Sequence, residues 1–116
     1  MLYEELHLIT QNAPDVLKES VKHAVFPGGG RIRPKLCLAT ANALSGITTK
    51  TVLGAAAAVE LIHCASLVHD DMPCFDNADF RRGKPSVHKL YGERIALLTG
   101  DGLIAAAFEV LSRNAA

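Results

Sequence analysis

A cluster of carboxylates gives this sequence its clearest chemistry. It lies in the run HDDMPCFDNAD at 69–79, where Asp70, Asp71 and Asp76 stand close together. Clustered carboxylates suit Mg²⁺ or Ca²⁺, and Mg²⁺ usually combines one or two of them with substrate phosphates and water. The alternating ligands and central Gly of a calcium loop are absent from this run. The cluster favours a magnesium–phosphate site, and the alternative is a solvated helix end that happens to carry three acids.

Pro73 decides how these acids can meet. Asp70 and Asp76 are six residues apart, and a straight helix turning about 100° per residue would place them far out of line. Pro73 cannot continue a helix, so the sequence predicts a bend that returns Asp76 towards Asp70. His63 lies seven residues before Asp70 and therefore on nearly the same helical face. Acids at a helix C-terminus oppose the helix dipole, which also favours a bound cation.

Two basic patches flank the acidic cluster. Arg81 and Arg82 follow it directly, and the run GGGRIRP at 28–34 carries Arg33 behind three glycines. Guanidinium groups match phosphate oxygens with two parallel hydrogen bonds. The glycine run is not a Walker loop, because the G-K-[ST] ending is missing. Either patch alone is more often a solvated face, but two patches beside clustered acids indicate a site for phosphate groups.

The elements that must position these groups are helices. Apolar spacing, proline and glycine predict them, whereas no segment alternates as a half-buried strand would. The class is therefore all-α. The predicted helices cover 14–25, 34–44, a long segment capped by Thr48 or Thr49 that runs to His69 or Met72, a short turn from Ser86 to about Gly92, and 93–112, with a loop at 73–85.

Composition narrows the function classes. The 116 residues allow one small domain, and twelve basic residues balance twelve acidic ones, which argues against a nucleic-acid binder. Three cysteines without CxxC spacing, and a start without signal- or transit-peptide character, favour a cytoplasmic location. Residues 51–69 are apolar enough to raise the question of a transmembrane segment. Glu60, His63 and His69 inside this stretch favour a buried core helix instead.

Three segments together resemble the trans-type prenyl diphosphate synthases, the farnesyl and geranylgeranyl diphosphate synthase family. They are GGGRIRP at 28–34, AAAAVELIHCASLVHDDMPCFDNADFRRGKPSVH at 55–88 and LLTGDGLIAAAFEVL at 97–111. The resemblance implies an antiparallel helical bundle of the isoprenoid synthase type, incomplete here, with 1–116 as the amino-terminal part of one domain. It also implies a homodimer that uses Mg²⁺ to transfer an allylic group onto isopentenyl diphosphate, giving a short-chain prenyl diphosphate.

The resemblance assigns roles to individual residues. The catalytic acids of the family's first aspartate-rich motif are matched by Asp70, Asp71 and Asp76. Of these, Asp70 and Asp76 match its magnesium ligands. Arg81 matches a contact to the allylic diphosphate. Contacts to isopentenyl diphosphate are matched by Arg33, His63 and Arg82.

Two positions bear on product length, and the sequence departs from the family pattern in two respects. Ala65 and Ser66 occupy positions where a bulky aromatic would block the growing product, so we expect geranylgeranyl rather than farnesyl diphosphate. Gly30 stands where the family motif has Lys, which predicts weaker binding of isopentenyl diphosphate. The second aspartate-rich motif of the family lies beyond residue 116, so we expect little turnover from the isolated chain. The alternatives are a truncated or non-catalytic helical subunit that binds a full-length synthase, and a helical module with an incidental acidic loop.

Overall fold

The computed structural model describes residues 2–26 and 28–115, which fold into helices and one small hairpin. The elements in chain order are α1 (Leu2–Thr10), α2 (Asp15–Val25), α3 (Ile32–Ser45), α4 (Lys50–Asp70), β1 (Phe80–Arg81), β2 (Lys84–Pro85), α5 (Val87–Tyr91) and α6 (Glu93–Arg113). The predicted all-α class is confirmed. The predicted loop at 73–85 contains the antiparallel pair β1–β2, whose two-residue strands are too short to give an alternating pattern.

α4 and α6 form the centre of the fold and run antiparallel. At one end, Thr51 Oγ1 near the start of α4 donates to the carbonyl oxygen of Asn114, just beyond α6, at 3.1 Å. At the other end, His69 Nε2 lies 3.2 Å from the carbonyl oxygen of Leu97. The acidic cluster at the end of α4 is therefore held beside the beginning of α6.

Small residues allow these two helices to approach closely. Ala57 and Ala65 of α4 and Ala107 of α6 are 0% exposed. Gly100 of α6 faces the His69 ring, and a Cβ there would lie 2.0 Å from His69 Nε2. The missing side chain at this glycine makes room for the histidine that precedes Asp70.

Local signals explain most helix boundaries. Thr49 is the N-cap of α4, as predicted, and its hydroxyl accepts a hydrogen bond from Val52 N at 3.2 Å. α3 begins at Ile32, two residues before the proline that was expected to open it, and Gly46 ends it in the left-handed conformation with φ of 71°. α1 was not predicted from the sequence. It is fixed by burial of Leu2 and Leu6 in the core.

α4 and α6 are long and apolar enough to cross a membrane. Their mean hydropathies are 1.7 and 1.6, and half of the apolar window of α4 is buried inside the fold. The core helix of a soluble protein meets the same criteria, so this is weak evidence for a span. The absence of a transmembrane segment stays a prediction.

Candidate active site

The chain turns back on itself directly after α4. The backbone N–H of Asp76 donates to the carbonyl oxygen of Asp70 at 2.8 Å, and Ala78 N donates to Asp71 O at 2.9 Å. These loop amides satisfy carbonyl groups that a helix end leaves without partners. The backbones of Asp70 and Asp76 thereby meet at the end of α4, and both residues are exposed.

Asp71 faces inward and holds Arg81. It is 2% exposed, and its two oxygens accept hydrogen bonds from Arg81 Nε and Nη2, each at 2.7 Å. This paired geometry is the strongest form of a guanidinium–carboxylate contact. The hydrogen bonds that Arg81 donates to the Asp71 carboxylate raise the pKa of Arg81, and the charges of Asp70 and Asp76 act in the same direction. Arg81 therefore lies within the field of all three aspartates.

The hairpin, residues 80–85, places Arg82 at its tip. Arg82 and Gly83 have φ of 53° and 78°, the pair of positive values that a type I′ turn requires. The base of the hairpin is closed on the Ala78 carbonyl, which accepts from Ser86 Oγ and from His88 Nε2, both at 2.7 Å. Arg82 is thus carried on a strained turn that is anchored at its base.

The glycine loop, residues 28–30, lies between the two basic patches. A Cβ at Gly28 would lie 2.0 Å from Arg31 Cζ, and one at Gly29 would lie 2.9 Å from Arg82 Nη2. Only glycine lets both guanidinium groups pass so closely under the backbone. The loop thereby brings the two basic patches of the sequence into contact.

Arg31 points into the fold and not towards solvent. Its Nη1 lies 3.4 Å from Glu60 Oε1 and 3.9 Å from Cys64 Sγ, and its Cζ lies 5.7 Å from the centre of the Phe26 ring. Nη2 donates to the carbonyl oxygen of Val25. Arg31 therefore fastens the glycine loop to α4, which leaves Arg33 as the exposed arginine of this patch.

His63 lies in the field of the remaining arginines. Partial burial lowers its pKa, and the positive charges of Arg33, Arg82 and Arg81 lower it further. The negative charge of Glu60 acts in the opposite direction. Burial and these positive charges therefore bias the imidazole towards its neutral form.

The two residues predicted to set product length differ in environment. Ala65 is 0% exposed and belongs to the core cluster between α4 and α6. Ser66 is exposed, and its hydroxyl donates to the carbonyl oxygen of His63 at 2.7 Å. Both side chains are small, but Ala65 is packed within the core whereas Ser66 borders solvent.

The donor set fits magnesium better than a metal held by protein alone. Within 2–26 and 28–115, no group of three or more His, Cys, Asp or Glu side chains is gathered so as to hold a metal ion. Two exposed carboxylates, those of Asp70 and Asp76, do lie on backbones that meet. One or two carboxylates completed by substrate phosphates are the usual protein setting for Mg²⁺.

A family profile and curated relatives agree with this geometry. The profile of the polyprenyl synthetase family matches residues 14–116. The chain belongs to the polyprenyl synthetase family. It is 57% identical over 104 residues to the geranylgeranyl diphosphate synthase of Cereibacter sphaeroides, an alignment that covers 90% of this chain and 36% of that protein. It is 52% identical over 96 residues to geranylgeranyl pyrophosphate synthase 9, chloroplastic, of Arabidopsis thaliana, covering 83% and 26%.

Solved structures place the fold with this polyprenyl synthetase family. An isoprenoid synthase family member from Thermotoga neapolitana matches with a TM-score of 0.89 and 43% identity, covering 99% of this chain and 44% of that one. A geranyltranstransferase from Thermotoga maritima matches with a TM-score of 0.86 and 48% identity, covering 97% and 42%. The isoprenoid synthase type of helical bundle is confirmed. The chain spans less than half of the length of these relatives.

Sequence reasoning missed the inward pair formed by Arg31 and Glu60. It placed Arg31 in an exposed basic patch and used Glu60 only to argue against a membrane span. A usable signal was available, because Glu60 is the only acid between Lys50 and Asp70 in an otherwise apolar helix. A lone buried acid needs a partner, and a glycine-flanked arginine elsewhere in the chain is a reasonable candidate.

Proposed function

We propose that this chain forms the diphosphate-binding part of a prenyltransferase that condenses an allylic diphosphate with isopentenyl diphosphate. The product is a short-chain prenyl diphosphate, geranylgeranyl in preference to farnesyl, made for isoprenoid biosynthesis. Family membership supports the reaction class, and the names of the curated relatives support the product. The proposal concerns the whole protein. This chain spans 36% of the length of the first of these two relatives and 26% of the second.

One observation carries the proposal. The 2.8 Å hydrogen bond from Asp76 N to Asp70 O brings two exposed carboxylates to the same end of α4. The arginine beside them, Arg81, feels the negative charge of both. Acids and a fixed guanidinium at one helix end are what a metal-bridged diphosphate needs for binding.

Asp70 and Asp76 would hold Mg²⁺ against the allylic diphosphate. When bound, the ion supplies Lewis-acid stabilisation of the negative charge that develops on the leaving diphosphate. Arg81 contributes a positive charge to the same group, and Asp71 fixes its direction through two hydrogen bonds. Asp71 is therefore a positioning residue in this proposal, whereas Arg81 contacts the substrate.

Arg33, His63 and Arg82 would bind the second substrate. Neither Arg33 nor Arg82 forms an ion pair with another residue in the described ranges, and both are exposed. Neutral His63 can donate one N–H to a phosphate oxygen without adding to the repulsion between the arginines. These groups would orient isopentenyl diphosphate, which is a positioning role rather than a chemical one.

The small side chains beside α4 support a longer product. Ala65 and Ser66 lie five and four residues before Asp70, on the turn of α4 that precedes the acidic cluster. Neither carries an aromatic ring that would stop a growing apolar chain. We propose that these positions leave room for a twenty-carbon product.

A second candidate is a non-catalytic helical subunit that binds a full-length synthase. The observation that favours it is an apolar surface on α6, where five residues are at least 39% exposed: Leu97, Leu98, Ile104, Phe108 and Leu111. Such a surface marks a contact with more protein. In the prenyltransferase proposal the same surface serves a homodimer, and the working compartment is the cytoplasm.

Magnesium-dependent ligand binding separates the two candidates. We expect the chain to bind geranyl thiodiphosphate, an unreactive allylic analogue, in calorimetry only when Mg²⁺ is present. Asp70→Asn should weaken this binding at least about tenfold, because it removes one carboxylate from a two-carboxylate site. Asp15→Asn, an exposed acid at the start of α2, is the matched control and should change nothing.

The opposite result would support the subunit. If the analogue binds equally well with and without Mg²⁺, or binds Asp70→Asn as well as the unaltered chain, the metal–diphosphate site does not exist. Co-purification with a full-length synthase under those conditions would point to the second candidate.

A further inference from the structure

One buried carboxylate has no role in substrate or metal binding in the proposed function. Glu60 is 3% exposed and lies on α4 among apolar residues. Its Oε1 is 3.4 Å from Arg31 Nη1, whereas its Oε2 is buried with no hydrogen-bond partner within the described ranges. A buried carboxylate that is only half satisfied disfavours folding, so its presence calls for a reason other than stability.

The partner of Glu60 controls the glycine loop. Arg31 has φ of 54°, a left-handed conformation that is uncommon for a residue with a side chain. Its guanidinium is held from several sides, by the Val25 carbonyl, the Cys64 sulfur and the Phe26 ring as well as by Glu60. A strained backbone conformation persists only where its surroundings hold it in place. At Arg31 the contacts of its own side chain do so.

The glycine loop rests on that guanidinium. Gly28 lies so close that a Cβ would be 2.0 Å from Arg31 Cζ, and the next residue, Gly29, packs on Arg82. Arg31 also directly precedes α3, which carries Arg33 in its first turn. A shift of Arg31 would therefore move the loop and Arg33 relative to His63, and it would displace the backbone against which the Arg82 side chain packs.

We propose that Glu60 is a positioning residue for the isopentenyl diphosphate pocket, acting through Arg31 to hold the glycine loop, Arg33 and Arg82 around His63. The inference deepens the proposed function and rests on it for the identity of the ligand. A buried ion pair is suited to this task, because it fixes position more than it adds stability. Arg81, the arginine assigned to the allylic diphosphate, is held by Asp71 and makes no contact with Glu60, so loss of Glu60 should affect isopentenyl diphosphate more than the allylic ligand.

The test uses Glu60→Gln, which keeps the size of the side chain and one acceptor oxygen but removes the charge. We expect its dissociation constant for isopentenyl diphosphate to rise about tenfold. Its magnesium-dependent binding of geranyl thiodiphosphate should change less than about twofold. Glu109→Gln, the same substitution in an exposed pair with Arg113 on α6, is the matched control and should leave both constants unchanged.

Selectivity between the two ligands decides the outcome. Equal weakening of both would mean that Glu60 merely supports the fold, and no weakening of either would mean that it positions nothing; both results overturn the inference. If Glu60→Gln does not fold, Arg31→Lys takes its place, since it keeps the charge but loses the planar guanidinium. It should weaken isopentenyl diphosphate binding selectively as well.

A ligand-free measurement keeps the inference separate from the proposed function. In Glu60→Gln, the amide resonances of the three loop glycines should shift and their hydrogen exchange should accelerate. The pKa of His63 should fall further, because Glu60 normally raises it. If the unaltered chain binds neither diphosphate but these changes occur, the proposed function fails and the anchoring role stands. If Glu60→Gln leaves the loop and His63 unchanged, the anchoring role fails whatever binds.

Discussion

Two basic segments are fastened to the same face of α4 in the same way. Arg31 reaches Glu60 from the glycine loop, and Arg81 reaches Asp71 from the hairpin. The two acids are eleven residues apart, about three helical turns, and so lie on one side of the helix. In each segment one arginine forms the anchor, and a second arginine, Arg33 or Arg82, lies near His63.

The two anchors differ in quality. Asp71 has both oxygens bonded at 2.7 Å, whereas Glu60 has one oxygen at 3.4 Å from Arg31 and one with no hydrogen-bond partner among the described residues. The hairpin is therefore clamped, and the glycine loop is held by a longer contact that small changes can displace. We infer that the hairpin is the more rigid of the two segments, whereas the glycine loop is the more easily displaced.

The largest effect is expected from breaking the stronger anchor. Asp71→Asn replaces a charged acceptor by an amide and leaves Arg81 without its partner. Removing one member of a buried ion pair typically lowers stability by about 3–5 kcal/mol. Because the side chain of Arg81 is 36% exposed and can regain water, we expect about 3 kcal/mol. Chemical denaturation measures the free energy of unfolding.

An exposed pair in the same segment provides the control. Asp79 and Lys89 are 3.2 Å apart, and both side chains are about half exposed, at 56% and 50%. Asp79→Asn should therefore lower the free energy of unfolding by less than about 1 kcal/mol. Equal losses for the two variants would show that the clamp on the hairpin adds nothing to stability.

A smaller effect is expected from loosening the weaker anchor. Gly28→Ala would push against the Arg31 guanidinium, which must leave its place beside Glu60. We expect a loss of about 1–2 kcal/mol and a faster hydrogen exchange in the loop. Gly30→Ala is the matched control, since its Cβ would meet only the Ile32 side chain, at 3.5 and 3.8 Å. This substitution should leave stability unchanged or raise it by up to about 1 kcal/mol.

The contrast between these two glycines tests the anchor directly. If Gly28→Ala proves as harmless as Gly30→Ala, Arg31 can move without consequence, and the glycine loop does not depend on its contact with Glu60.

The helices were largely predictable because their signals are local. Thr49 caps α4, Gly46 ends α3, and apolar periodicity marks α2 and α6. α1 was missed, although it carries two buried leucines, because a nine-residue helix has few turns in which periodicity can repeat. The hairpin was missed for a similar reason, since strands of two residues cannot alternate.

The candidate site was predictable in composition but not in direction. The sequence indicated which acids and arginines belong together, and the fold brings Arg81 beside the aspartates as the motif suggested. The sequence did not indicate that Asp71 points inward while Asp70 and Asp76 point to solvent. Nor did it indicate that Arg31 and Arg33 face opposite ways. Those directions depend on packing against α4, which involves residues more than 25 positions away in the chain for Arg31.

The smallest expected effect concerns the charge that each segment exerts on His63. The pKa of His63 lies below its ordinary value of 6.5, so the unfolded chain takes up this proton more readily than the folded one. Stability should therefore fall as pH drops through 6.5 towards the folded pKa, and it should level off below that. His63→Gln should remove this part of the pH dependence, as measured by denaturation between pH 7 and pH 5.

The two presented arginines should contribute unequally to that shift. The positive charge of Arg33 lowers the pKa of His63 more than that of Arg82 does. Arg33→Gln should therefore raise the His63 pKa more than Arg82→Gln in titrations followed by nuclear magnetic resonance. Adding isopentenyl diphosphate should raise it in the unaltered chain as well, because the bound anion offsets both arginines. If Arg82→Gln raises the His63 pKa more than Arg33→Gln does, the arginine of the hairpin has the larger effect on His63. The weaker anchor, between Arg31 and Glu60, then holds the arginine with the smaller effect.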